Sequence, residues 1–137
     1  MTAISAPTIK IVGVIAVLAL LLLASPTLAA DPVNGKASFA RCGICHRVGE
    51  GAKNVVGPEL NGVVGRPAGS VPGYAYSQAM KASGKTWDGA SLRAFLASPS
   101  AVVPGTRMTF AGLRDPAAID DVIAYLKTFD AEGKTKP

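Results

Sequence analysis

The sequence predicts an all-α domain whose few short helices are separated by long loops, and three observations predict it. The clearest helix lies near the C-terminus, where Asp115-Pro116 opens a run with Ile119, Val122, Ile123 and Leu126 at i, i+3, i+4 and i+7. Glycine and proline crowd residues 49–73, which carry no helical period. A second stretch, 99–114, has no apolar period either. So little regular structure buries a poor core on its own, and something other than the chain's side chains is expected to fill its centre.

Residues 1–30 stand apart from that domain. Ile11–Ala30 carries no charge, Lys10 and the amino terminus precede it, and small residues follow at Ala24, Ser25, Ala29 and Ala30. This is the layout of a secretory signal peptide cleaved after Ala29 or Ala30. The alternative is a retained N-terminal membrane anchor, since twenty uncharged residues can just span a bilayer. Pro26 interrupts the apolar run after about fourteen residues, which suits a signal core better. The domain is then 31–137, and its net charge is +4 once Lys10 is lost from a chain of 14 basic and 9 acidic residues.

Within that domain, Asp31-Pro32 reads as an N-cap and first-turn proline. Val33, Ala37, Ala40 and Ile44 then recur at helical spacing beside Phe39. Residues 49–73 form a loop, and a short helix is expected over Tyr76–Ala82. Asp88 caps a helix bearing Leu92, Phe95 and Leu96, which Pro99 ends. After the loop 99–114, the last helix begins at Asp115-Pro116, and Tyr125 and Phe129 extend its apolar face.

Composition excludes several chemistries. With two cysteines and one histidine, Cys42, Cys45 and His46 cannot complete a four-ligand Cys/His zinc site. There is no P-loop, no dinucleotide fingerprint, no internal repeat and no basic cluster suited to nucleic acid. Cys42-Gly43-Ile44-Cys45-His46 is instead the C-x-x-C-H haem attachment run. Two thiols three residues apart can each add to one vinyl group of a porphyrin, and the adjacent imidazole then lies beneath the iron. His46 is the sole histidine, so a thioether is the expected second axial ligand. The candidates are Met80, on a predicted helix, and Met108, in the irregular loop Pro104–Met108, which is the better placed.

The chain resembles the class I c-type cytochromes of the mitochondrial and alphaproteobacterial kind from about Gly35 to Asp130. The likeness is carried by CGICH at 42–46, GPELNG at 57–62, GR at 65–66, GYAYS at 73–77, Trp87, PGTRM at 104–108 and IAYLK at 123–127. It implies a cytochrome c fold around one haem c, linked through Cys42 and Cys45, with His46 and Met108 on the iron. It further implies that the Pro58 carbonyl orients the imidazole, that Arg66, Tyr76 and Trp87 hydrogen-bond the haem propionates, and that Tyr74 flanks that group. Thr106 and Phe110 match positions beside the methionine ligand and the exposed haem edge.

Two positions depart from the family pattern: Phe95 replaces a customary tyrosine, and Met80 a customary asparagine. Ser100 and Ala101 replace lysines used for docking in many relatives. The resemblance implies a monomeric one-electron carrier and not an enzyme, exported to the bacterial periplasm. Its expected partners are a ubiquinol–cytochrome c oxidoreductase and a terminal oxidase or photosynthetic reaction centre, met through a basic rim. Arg41, Arg47, Lys53, Lys85 and Arg107 are the rim candidates, with Val102, Val103 and Phe110 as an apolar centre. Nucleic acid is not an expected partner, and the membrane is met only through those complexes unless residues 1–30 are retained. The alternatives are an electron-transfer subunit anchored in the inner membrane with its haem domain facing the periplasm, or a haem peroxidase or gas-binding protein with an open distal site.

Overall fold

The computed structural model describes residues 29–136, so the expectation for the signal or anchor segment lies outside the described residues up to Leu28. The first helix, α1 (Pro32–Phe39), starts as its sequence demands: the Asp31 carboxylate accepts the Val33 N–H at 2.8 Å, and proline occupies the first turn. The face it buries differs from the expected one. Gly35 and Phe39 are buried, whereas Val33 is 75% exposed and Ala37 and Ala40 also face solvent.

The reason is the partner. The C-terminal helix, called α5 here (Pro116–Lys127), crosses α1 so closely that a Cβ on Gly35 would overlap the Asp121 carbonyl and lie 2.8 Å from Tyr125 Cβ. Backbone proximity outranks side-chain hydrophobicity at such a crossing, so glycine marks the contact face. Phe39 then stacks on Tyr125 at 5.4 Å, and Tyr125 meets Phe129 edge-on at 5.2 Å. The Asp31 N–H donates to the Asp121 carboxylate at 2.7 Å and ties the start of α1 to α5. On α5 the expected stripe Ile119, Val122, Ile123 and Leu126 is buried.

A 3₁₀ turn follows α1 at Cys42–Ile44, then α2 spans Gln78–Lys81 and α3 spans Gly89–Ala97. Ser77 caps α2 and Asp88 caps α3, the latter accepting the Ser91 N–H at 2.7 Å. Leu92, Phe95 and Leu96 are the buried face of α3, which packs on α5. Pro99 ends α3 but opens a further single turn, α4 (Pro99–Val102), inside the expected loop. One turn is too short to show a period, and its start depends on proline at the first helical position.

The long loop is held by its own hydrogen bonds. Asn61, buried, pairs its side-chain amide with both backbone groups of Gly49, at 2.8 and 3.0 Å. Residues 65–68 run antiparallel to 85–87, with Gly65 N–H to the Trp87 carbonyl at 2.8 Å and Trp87 N–H to the Arg66 carbonyl at 2.9 Å. That pairing positions Trp87. Among the described residues no helix is long and apolar enough to cross a membrane.

Candidate haem-binding site

The 3₁₀ turn builds one wall of the site. Cys45 N–H and His46 N–H both donate to the Cys42 carbonyl, at 3.0 and 2.8 Å. The fold thereby brings Cys42, Cys45 and His46 to one cavity of about 570 Å³ while Ile44, 75% exposed, stands at its mouth. Both thiols are free and half-buried. Burial pushes the Cys42 thiol pKa up, and the Arg41 charge partly opposes it.

His46 Nδ1 lies 2.7 Å from the Pro58 carbonyl, which can only accept, so Nδ1 carries the proton. Burial holds the imidazole pKa below its usual value, against the opposing effect of that hydrogen bond. The neutral ring therefore keeps its Nε2 lone pair available. Gly57 makes room for it: a Cβ there would sit 2.5–2.9 Å from Cε1, Nδ1 and Nε2. Gly57 N–H also donates to the Cys45 carbonyl at 2.7 Å, which locks this loop to the turn.

Met108 lines the same cavity, on a loop that bends at Gly105, where φ is +88°. Thr106 Oγ1 accepts the Met108 N–H at 3.3 Å, and the Arg107 guanidinium donates to the Ala75 carbonyl, anchoring the loop across the cavity. Met80 lines the cavity as well, from a buried position on α2. Pro58, Arg66, Tyr74, Tyr76 and Trp87 all line it too, so every site residue expected from the sequence is gathered at one cavity.

Their polar groups are engaged differently. The Tyr74 hydroxyl donates to the Val56 carbonyl at 2.8 Å. Tyr76 Oη accepts the Val71 N–H at 3.3 Å and retains its own proton for donation. Its phenol pKa is raised, chiefly by burial. Trp87 is buried against Phe95 at a ring distance of 4.7 Å, and its indole N–H finds no partner among the described residues. Arg66 spends three N–H bonds on Glu59 Oε1, the Glu59 carbonyl and the Asn61 carbonyl, at 3.1, 2.9 and 2.7 Å.

One expected contact surface is corrected: Val103 is 3% exposed and belongs to the core, because the α4 turn folds it inward. Lys85 is half-buried, unlike the exposed Arg41, Arg47, Lys53 and Arg107. The exposed apolar residues at the mouth are Ile44 and Val56. Sequence reading missed these two, and it missed Gly57 and Glu59, although all four lie within or beside the motifs it singled out.

The donor set fits a haem. Two thiols and an imidazole sit at one turn, and the Met108 thioether, Arg66, Tyr76 and Trp87 line the same largely apolar cavity. The fold and this site define a class I c-type cytochrome that carries one haem c covalently and transfers single electrons, without being an enzyme. The chain belongs to the cytochrome c family, whose pattern matches residues 32–130. It is 52% identical over 106 residues to cytochrome c-550 of Nitrobacter winogradskyi, covering 77% of this chain and 97% of that protein. It is 56% identical over 110 residues to cytochrome c2 of Rhodomicrobium vannielii, covering 80% and 88%. Among solved structures it resembles cytochrome cH from Methylobacterium extorquens, with TM-score 0.68 and 51% identity over 72% of this chain and 99% of that one.

Proposed function

We propose that Cys42 and Cys45 hold the haem through thioether bonds, with His46 Nε2 and Met108 Sδ as its axial ligands. The observation that carries this reading is the Cys42–Ile44 turn, whose hydrogen bonds put both thiols and the imidazole on one cavity wall. When bound, the haem would supply an iron that cycles between ferric and ferrous states, and His46 and Met108 are the groups of this chain that would hold that iron. The Pro58 carbonyl fixes the imidazole plane and keeps Nδ1 protonated. Tyr76 and Trp87 offer an O–H and an N–H to the propionates, and Arg66 offers the guanidinium hydrogens it has not spent. Tyr74 braces Tyr76 through an edge-on ring contact at 4.8 Å.

The carrier works in the periplasm, after export directed by residues 1–30. Cleavage after Ala30 would leave an α-ammonium where the Asp31 N–H donates to Asp121, a favourable ion pair in place of a hydrogen bond. A ubiquinol–cytochrome c oxidoreductase donates the electron, and a terminal oxidase or photosynthetic reaction centre accepts it. The oxidised protein is expected to show the weak near-infrared methionine-to-ferric charge-transfer band. Its absence overturns the Met108 assignment. An intact mass that begins at Ala30 or Asp31 supports a diffusible carrier, and one retaining residues 1–28 supports the anchored form.

A further inference from the structure

We propose that Glu59 sets the reduction potential through Arg66: its carboxylate clamps the guanidinium to the cavity wall and offsets its positive charge. This rests on the reading of the main cavity as the haem site. Arg66 lines that cavity, whereas Glu59 lines a separate polar hollow of about 430 Å³ on the other side, so the pair is the partition between the two. The side chains are only 19% and 20% exposed, in contrast to the Arg93–Asp120 pair at 60% and 34%, so solvent screens the partition weakly.

The arrangement is closed. Glu59 Oε1 lies 3.1 Å from Arg66 Nη1, the Glu59 carbonyl accepts from Nη2 at 2.9 Å, and Glu59 Oε2 accepts the Asn61 N–H at 2.6 Å. The Asn61 carbonyl accepts from Nη1 at 2.7 Å, and the Asn61 side chain is locked to Gly49. Neither charge is therefore free to swing away when the iron changes charge. Both fields reach the cavity wall with opposite sign. After burial and the Val71 hydrogen bond, the Arg66 charge favours the ionised Tyr76 phenol and the Glu59 charge disfavours it.

A cation near the iron favours the ferrous state, which carries one positive charge fewer, and an anion favours the ferric state. Glu59 cancels part of the pull that Arg66 exerts and so holds the potential down. Glu59→Gln keeps the length of the side chain and one of its two acceptor oxygens; it removes the charge and gives up either the Arg66 or the Asn61 side-chain bond. The midpoint potential of haem-bearing E59Q is expected to rise, that of E59D to stay nearer wild type, and that of D120N to stay unmoved. Glu59→Asn repeats the test should E59Q mature poorly. A haem-bearing E59Q whose potential is unchanged or lower, with only its melting temperature reduced, overturns the proposal. So does an E59D or D120N shift as large as that of E59Q. A wild-type protein lacking a covalent haem spectrum would instead overturn the reading of the cavity, which keeps the two failures apart.

Discussion

At the scale of single residues the site depends on atoms that are missing as much as on those present. Gly57 carries no side chain because the His46 ring occupies that volume. Gly57→Ala is expected to displace the imidazole from the Pro58 carbonyl and to destabilise the domain by about 1–3 kcal/mol, as overpacking does. A thermal melt checks the second effect. The first appears as weakened low-spin character in the absorption spectrum of the haem protein. Phe95, where the family resemblance implies a tyrosine, presents only carbon and lies buried on the cavity wall against Trp87. An apolar wall disfavours the more highly charged ferric centre, so Phe95→Tyr is expected to lower the midpoint potential, read by redox titration. The cysteines and the histidine stood out by type and spacing, and Met108 by its irregular loop, with Met80 left as the other thioether. Gly57 was visible only as a letter in a motif, since the clash it avoids involves a ring eleven residues earlier in the chain.

At the scale of elements, local signals predicted starts better than faces. All three longer helices begin where an aspartate cap stands, at Asp31, Asp88 and Asp115. Hydrogen bonds from Ser91 hold the Asp88 carboxyl pKa below its usual value. A depressed carboxylate contributes stability above its unfolded pKa and loses it as pH falls through the folded value. Asp88→Ala is therefore expected to lower the melting temperature by a few degrees at neutral pH. The gap to wild type should close in acid below the unfolded carboxylate pKa, near 4. The α1–α5 crossing is a different case. Gly35→Ala is expected to cost about 3 kcal/mol or more, because neither the Asp121 carbonyl nor Tyr125 Cβ can yield without separating the helices. Chemical denaturation at constant haem content measures it. The periodic reading of α1 chose the apolar residues and so chose the solvent face, because no pattern within one helix reveals how near its partner's backbone will come.

At the scale of the whole molecule, function depends on where charge and apolar surface surround the cavity mouth. Arg41 and Arg107 line the cavity and face solvent, beside exposed Ile44 and Val56. Steering by such a rim speeds encounter without tight binding and is screened by salt. The bimolecular rate of electron transfer with an acidic partner is expected to fall several-fold between about 10 mM and 150 mM ionic strength, as the Debye length contracts. Arg107→Gln should flatten that dependence, which stopped-flow measurements at several salt concentrations would show. A rate indifferent to salt rejects the steering role.

Residue type at short spacing was enough for the all-α class, the capped helix starts and the family. The packed fold was needed to show which face of α1 is buried, that residues 99–102 form a turn of helix, that Val103 is core, and that Glu59 lies against Arg66. These depend on the approach of segments distant in the chain, where backbone clearance and the pairing of buried charge outweigh local preference. A C-x-x-C-H run names its own chemistry. A glycine or a glutamate acquires its role from what folds against it.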